Sequence, residues 1–272
     1  MEIGIVVRNM GPVSTASLMS ASAQYAESIG LDHIWVTDHV AIPKNESEGS
    51  GGRYVDPLAT LAFFAGVTKR IQLGLGVLVL PYRPALPTAK WLASIQELSD
   101  GRLLFGAGVG WMAAEFKAAG VPRNRRGALT DETLQFVNDC FAADEVTAND
   151  QSFLFLPRPA KPPVLIGGAP ENAIPRIVSH GDGWMPGRTP PDVLKGHVSE
   201  LTEQMAAVGK EKPKVIVLGH LPVDEPNAAR EMVEAYEDAG ATGIAHFSRY
   251  ADGTEFNAIA DALAELRSDR RI

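Results

Sequence analysis

The residues best suited to chemistry stand at the ends of short apolar runs. The segment "WVTDHV" ends one such run with Asp38 and His39. An imidazole at a strand end can donate a hydrogen bond to a bound ring system or exchange a proton with it. A histidine bonded to a neighbouring loop, beside an aspartate that forms a turn, is the alternative interpretation. Both interpretations stay open at this point, and His39 is the candidate catalytic residue.

Two glycine-rich turns indicate a second kind of site. "LLFGAGVGWM" and "VLIGGAPENA" each run from an apolar stretch into a helical pattern. Backbone N–H groups exposed in such turns, together with a helix that begins near Pro170, can bind phosphate. A tight strand-to-helix turn without a ligand is the alternative. Together the two turns favour a flat ring and a phosphate that lie against the backbone.

Metal and covalent chemistry have little support in the sequence. There is no His-Glu-x-x-His pattern, no cysteine cluster and no Gly-x-Ser-x-Gly turn. The single cysteine, Cys140, falls within a helical pattern, where packing is expected rather than reactivity. No metal site is predicted.

An alternation of strands and helices must position these residues. Most of the β-rich runs are continuously apolar, which is typical of a parallel sheet covered by helices. The β-rich runs span residues 3–7, 33–37, 71–79, 103–107, 164–167, 183–186, 214–219 and 243–248, with a stretch of helical period after each.

Eight strand–helix units in 272 residues predict a (β/α)8 TIM barrel that spans residues 1–272 as a single domain. A doubly wound open sheet is the rival. It would carry its glycine fingerprint after the first strand, whereas the turn at Gly108 follows the fourth. Because the carboxyl ends of barrel strands converge on one face, we expect Asp38, His39 and both glycine-rich turns to meet there.

Two segments interrupt the regular spacing. Residues 44–54 are polar and glycine-rich, which predicts a mobile loop, either a lid or simple disorder. Residues 146–163, "VTANDQSFLFLPRPAKPP", contain a short β-like run closed by prolines. This segment is predicted to be a short insertion before strand five.

Composition and charge exclude several kinds of partner. The net charge of −8 comes without a run of lysines and arginines, which argues against nucleic acid. No apolar run approaches the roughly 20 residues that cross a bilayer, so no membrane partner is expected. The single cysteine, and a start "MEIGIVVRNM" without a signal-peptide pattern, favour a cytoplasmic enzyme with a small-molecule substrate.

Four stretches of the chain resemble the luciferase-like monooxygenase superfamily, in order and spacing over residues 1–190. They are "GLDHIWVTDHV", "IQLGLGVLVLPYRPALPTAKWLASIQELSDGRLLFGAGVGW", "EFKAAGVPRNRRGALTDETL" and "RPAKPPVLIGGAPENAIPRIVSHGDGWMPG". More narrowly, the chain is similar to the actinobacterial branch thought to use the deazaflavin coenzyme F420. The resemblance implies a (β/α)8 barrel that binds a flavin or deazaflavin at the carboxyl ends of its strands. It also implies a homodimer.

The resemblance assigns roles to individual residues. His39 matches the family histidine beside the ring, which in deazaflavin members transfers a proton or stabilises the reduced ring. A non-prolyl cis peptide bond after the third strand would fall at Gly76–Val77. Arg126, in "RNRRG", lies where many relatives carry a basic residue, and it is assigned to the phosphate. The cofactor-binding residues implied are Asp38, His39, Gly76, Val77, Gly108, Val109, Gly110, Trp111, Arg126, Gly167, Gly168 and Ala169.

The sequence also departs from some deazaflavin dehydrogenases of this superfamily. Those enzymes place an acid where this chain has Trp111, and a tryptophan where it has "AIP" after His39. A sugar-phosphate dehydrogenase is therefore not expected. Trp111 instead suggests an apolar or aromatic substrate wall, with packing under the ring as an equal alternative.

The resulting expectation is an oxidoreductase that transfers a hydride between F420 and a small organic substrate. A two-component monooxygenase of the same fold, which uses reduced FMN and oxygen, is the alternative. A non-catalytic flavin-binding protein is the second alternative.

Overall fold

Eight parallel strands close into a barrel, which confirms the predicted fold. The computed structural model describes residues 1–47 and 49–268. The last barrel strand pairs with the first at Gly243 and Glu2, and the remaining pairs follow chain order around the ring. The barrel strands and three short strands outside the ring are β1 (Glu2–Val6), β2 (His33–Val36), β3 (Gln72–Leu75), β4 (Leu78–Val79), β5 (Leu103–Gly108), β6 (Glu145–Ala148), β7 (Gln151–Leu154), β8 (Val164–Gly167), β9 (Gly183–Met185), β10 (Lys214–Gly219) and β11 (Gly243–His246), of which β4, β6 and β7 lie outside.

The third barrel strand is shorter than the sequence predicts. Residues 71–79 were expected to form one strand, but the chain leaves the ladder after Leu75 and resumes as β4, which pairs with β5 at Leu78 and Ala107. The peptide bond between Gly76 and Val77, in the interruption, is cis. The position implied by the family resemblance is thus confirmed, and the continuous strand was wrong because the pattern of apolar residues runs unbroken through the bulge.

Helices connect the barrel strands, and side-chain caps begin several of them. The Asp56 carboxylate accepts from the amides of Leu58 and Ala59 at the start of α2, a typical N-cap. The short α4, after β5, was not predicted. The helices are α1 (Ala16–Ser28), α2 (Pro57–Val67), α3 (Ala85–Leu98), α4 (Ala113–Ala118), α5 (Arg126–Ala142), α6 (Pro170–His180), α7 (Pro191–Ala207), α8 (Pro226–Asp238) and α9 (Gly253–Ser268).

The two irregular segments differ in their degree of order. Residues 146–163 include most of an antiparallel hairpin of β6 and β7, whose turn residues Asn149 and Asp150 both have positive φ. In the described part of residues 44–54, the 3-10 turn Lys44–Glu46 is followed by hydrogen-bonded turns over residues 49–52, and Tyr54 bridges to Met10. Residue 48 lies outside the described residues.

Two apolar layers hold the barrel together. The outer layer packs the strands against the helices, and a smaller cluster fills the inside of the ring. Trp35 is the largest member of the inner cluster, and it is fully buried. A Cβ at Gly74 would collide with its indole, so the neighbouring strand needs glycine there. Among the described residues, no helix combines the length and apolar character needed to cross a bilayer.

Candidate active site

A cavity of about 600 Å³ opens at the carboxyl ends of the barrel strands. Every predicted site residue except Arg126 lines it: Asp38, His39, Gly76, Val77, Gly108, Val109, Gly110, Trp111, Gly167, Gly168 and Ala169. A slightly larger cavity, about 640 Å³, lies beside α3, α5 and the β6–β7 hairpin, away from these strand ends. We take the strand-end cavity as the candidate active site, because barrel enzymes place their chemistry on that face.

Glu115, which the sequence analysis missed, holds the candidate catalytic histidine. Nδ1 of His39 lies 2.8 Å from Oε2 of Glu115. The other carboxylate oxygen accepts from the amides of Val40 and Ala41, at 2.6 and 2.9 Å. The Glu115 side chain is 1% exposed, whereas that of His39 is 19% exposed. A buried carboxylate therefore fixes both the imidazole and the backbone that follows it.

The hydrogen bonds around Glu115 determine its charge and the tautomer of His39. Burial by itself would raise the pKa of Glu115, but the amides of Ala41 and Val40 and the imidazole together hold this pKa below its ordinary value. An ionised carboxylate only accepts, so Nδ1 of His39 carries the proton of their shared bond. Nε2 is then the ring nitrogen that can accept a proton from a ligand, or donate one when the ring is charged.

Aromatic rings surround the histidine. The rings of Tyr54 and Trp111 lie with their centroids 5.0 and 6.0 Å from that of His39. Tyr82 donates to Glu115 at 3.2 Å, and burial followed by the charge of this carboxylate raises the pKa of the phenol. Trp111 is 65% exposed, so its indole is free to contact a ligand at the mouth of the cavity. The site thus pairs one titratable dyad with a wall of aromatic surface.

Asp38 has a structural role that its sequence position does not reveal. Its carboxylate accepts two hydrogen bonds from Arg83, at 2.7 and 2.9 Å, and one from the amide of Val79, at 2.8 Å. Burial would lower the pKa of Arg83, but hydrogen bonds to Asp38 and Asp56 raise it above its ordinary range. Asp38 therefore anchors β4 and the bulge rather than presenting a free carboxylate to a ligand.

The glycines at the ends of β5 and β8, with Gly110 just beyond β5, leave room for neighbouring side chains. A Cβ at Gly108 would collide with the side chain of Val77, and one at Gly167 would lie 2.8 Å from a methyl group of Val77. A Cβ at Gly110, which has φ of +75°, would lie 2.6 Å from Val79. These glycines let the bulge residues press inward and form an apolar wall of the cavity.

Gly168, the residue that follows β8, has open space around it. Gly168 has φ of +125°, and a Cβ there would meet nothing within 4 Å. Its carbonyl accepts from the Trp184 indole at 3.0 Å, which holds the turn in place. α6 starts two residues later, at Pro170, and the first turn of a helix has N–H groups without intrahelical acceptors. The open backbone and the helix N-terminus are suited to an anion such as phosphate.

Arg126 is the one predicted site residue that the structure does not bring to the cavity. It begins α5, and its guanidinium donates to the carbonyl of Arg123 at 3.2 Å. Across residues 1–47 and 49–268, no group of three or more His, Cys, Asp or Glu side chains is arranged to hold a metal ion.

Most of the missed residues gave weak signals in the sequence. Glu115 is an acid within a short amphipathic stretch after the glycine-rich turn, and its position four residues beyond Trp111 does not by itself point to His39. Arg83, in "LPYRPA", is a cation after an apolar run, but only the fold shows that it binds Asp38.

Three solved structures share this architecture. The monooxygenase RslO1 from Streptomyces bottropensis has a TM-score of 0.84 and 19% identity, with all of both chains covered. An F420-dependent secondary alcohol dehydrogenase, in complex with an F420–acetone adduct, has a TM-score of 0.78 and 16% identity, covering 96% of this chain and 97% of the other. The FMN-bound oxygenating constituent of 3,6-diketocamphane monooxygenase from Pseudomonas putida has a TM-score of 0.78 and 15% identity, over 99% and 97% of the chains. At these identities the likeness concerns the fold.

Sequence comparison extends from the fold to the family. The profile of the luciferase-like monooxygenases matches residues 1–271, which is nearly the whole chain. Members of this family are oxidoreductases or monooxygenases, and the predicted superfamily is thereby confirmed. With its barrel, its cis peptide bond and its strand-end cavity, the chain belongs to the luciferase-like monooxygenase family.

Proposed function

We propose that this protein is an oxidoreductase that transfers a hydride between coenzyme F420 and a small organic substrate in the strand-end cavity. The observation that carries the proposal is the His39–Glu115 dyad beside an apolar wall and an open glycine turn. The F420-dependent alcohol dehydrogenase of similar fold supports the choice of coenzyme.

The residues present fit a deazaflavin or flavin. Val77, Val79 and Met185 offer apolar side chains to a planar ring, and the cavity volume of about 600 Å³ falls in the range of cofactor sites. The backbone of Gly167 to Ala169 and the N-terminus of α6 would hold the phosphate. When bound, the deazaflavin supplies a ring carbon that donates or accepts a hydride.

The protein's own residues position the reactants and handle the proton. His39 can hold or accept a proton at Nε2, and the ionised Glu115 stabilises the imidazolium that results. Half-buried Tyr82 and the two amides keep the carboxylate in one orientation. When a cofactor and a substrate fill the cavity, its apolar side chains would displace water, which would otherwise compete for the proton.

A titration with both cofactors tests the proposal. The purified protein is titrated with oxidised and reduced F420 and FMN, and absorbance and fluorescence are followed. We expect saturable F420 binding. Tight FMN binding without F420 binding would overturn the choice of coenzyme, and binding of neither would favour a non-catalytic role.

A variant pair tests the role of the histidine. His39→Ala should keep the fold and the cofactor affinity but lose most of the turnover, because His39 lines the cavity rather than the core. His197→Ala, on the outer helix α7, is the matched control and should retain activity. Unchanged turnover in His39→Ala would remove this residue from the chemistry.

A flavin monooxygenase is the second candidate. It is favoured by the FMN-bound oxygenating constituent and by RslO1, both monooxygenases of the same fold. Oxygen consumption with reduced FMN, in step with substrate oxidation, would identify this activity. The homodimer and the cytoplasmic location remain predictions from the sequence.

A further inference from the structure

A smaller cavity, of about 330 Å³, adjoins the proposed cofactor cavity. Thr37, Gly187 and Leu218 line both cavities, so a molecule in the smaller one lies directly beside the cofactor cavity. The rest of the smaller cavity is formed by Arg188, Gly219, His220 and Phe247. We call it the side cavity.

The floor of the side cavity is apolar. Leu218 and Phe247 pack against the inner barrel cluster, and the amide of Phe247 donates to Gly219 at 2.8 Å, which fixes the ring on its strand end. A Cβ at Gly187 would meet nothing within 4 Å, so this wall is open. The floor suits an aromatic or aliphatic body of modest size.

Arg188 brings a positive charge to this apolar cavity. Its backbone has φ of +49°, a left-handed conformation that is uncommon for a residue other than glycine. The amide of Arg188 donates to the carbonyl of Leu218 at 2.9 Å, which holds the residue at the strand end. A strained backbone that places a charged side chain on a cavity is a common feature of ligand sites.

The charge of Arg188 is available to a ligand. In the described part of the chain, ion pairs occupy several other arginines, whereas Arg188 enters none: the paired ones are Arg83, Arg125, Arg158, Arg176 and Arg267. No carboxylate lines the side cavity, and its other polar side chains are Thr37 and His220. Arg188 also lines a neighbouring cavity of about 580 Å³ that includes the carboxylates of Asp224 and Glu255, but it forms an ion pair with neither. A guanidinium without an ion pair, beside an apolar floor, matches a single negative charge on an apolar body.

We propose that the substrate is a monoanionic carboxylate with an aromatic or aliphatic body. The body lies on Leu218 and Phe247, and the carboxylate binds Arg188. The opposite end of the substrate then faces the cofactor cavity across Thr37. This inference rests on the proposed function, since it names the substrate class of the same site.

A pair of probes that differ only in charge tests the inference. The affinities of 3-phenylpropionate and of the neutral 3-phenylpropanamide are measured by titration calorimetry, with the protein alone and with F420-loaded protein. Because a hydrogen bond to an ionised group stabilises more than a neutral one, we expect the carboxylate to bind about tenfold more tightly at low salt. Equal affinities would overturn the inference.

Four variants separate charge from shape. Arg188→Gln should abolish the preference for the carboxylate, and Arg188→Lys should retain most of it. Arg70→Gln, which removes the same charge just before β3, should leave the preference unchanged. Phe247→Ala should weaken both probes by the same factor. A carboxylate preference that survives in Arg188→Gln, or that is lost equally in Arg70→Gln, would refute the assignment.

The outcomes distinguish this inference from the proposed function. If neither F420 nor FMN binds but the unloaded protein shows the Arg188-dependent preference, the cofactor proposal fails and the side cavity stands as a carboxylate site. If F420 binds and the preference is absent, the substrate class is wrong and the coenzyme assignment stands.

Discussion

Replacing Glu115 by glutamine should reverse the tautomer of His39 while leaving the fold nearly intact. The glutamine oxygen should face the amides of Val40 and Ala41, because two N–H donors cannot be satisfied by an NH2 group. The NH2 group then faces Nδ1 of His39, which must accept. The proton of the neutral ring moves to Nε2, and the nitrogen that faces a ligand loses its ability to accept a proton.

The size of the effect follows from the contacts that change. Glutamine keeps an acceptor for both amides, so we expect a loss of stability of about 1 kcal/mol. The imidazolium form of His39 loses an ionic hydrogen bond, and such a bond contributes about 1.5–3 kcal/mol of stabilisation. Since general acid–base catalysis contributes about 10²- to 10⁴-fold, turnover should fall by at least about tenfold. Glu115→Ala would leave both amides without an acceptor, at about 1–3 kcal/mol each.

Nitrogen NMR and kinetics together provide the assay. Long-range ¹H–¹⁵N correlation spectra report which ring nitrogen of His39 carries the proton, independently of cofactor or substrate. Glu132→Gln, in an exposed ion pair with Arg125, is the matched control and should change neither the tautomer nor the turnover. If Glu115→Gln retains the proton on Nδ1, or keeps full turnover with the tautomer reversed, the dyad does not act as described.

Three further predictions concern stability. Gly108→Ala should lower the free energy of unfolding by about 1–3 kcal/mol, because the new Cβ overlaps Val77. Gly187→Ala is the control and should lower it little, since a Cβ there meets nothing within 4 Å. Chemical unfolding of the two variants compares the losses. Burial, and then a neighbouring histidine, lowers the pKa of His246 from 6.5 to about 4, so its contribution to stability is fully present above pH 6.5 and is lost as the pH falls toward 4. Averaged between pH 7 and 5, the stability measured by urea unfolding should change with pH by about 0.9 kcal/mol per pH unit less in His246→Asn than in the wild type. An equal dependence on pH would contradict this. Asp38→Ala should cost about 3 kcal/mol, because it leaves the largely buried Arg83 with only the exposed Asp56 as an ionic partner. Asp144→Ala, in an exposed pair, should cost less than about 1 kcal/mol, and equal losses in thermal unfolding would argue against the anchoring role of Asp38.

The sequence by itself determined the barrel and the face that carries the site. Hydrophobic periodicity is local, and parallel strands align their carboxyl ends at one edge of the barrel. His39, Trp111 and the turn at Gly168 could therefore be expected to meet before any contact was known. The cis bond at Gly76–Val77 could be expected from the family resemblance.

Only the tertiary structure decided what each of these residues contacts. Glu115 and His39 are 76 positions apart, and no local pattern couples two side chains across that distance. The same holds for Asp38, a candidate ligand in the sequence that instead binds Arg83, 45 positions away. Gly108 lines the cavity as expected, but only the structure shows that a Cβ there would collide with Val77, and that Arg126 lies outside the cavity. Residue type and strand position are encoded locally, whereas the partner of a buried polar or glycine residue depends on how distant segments pack.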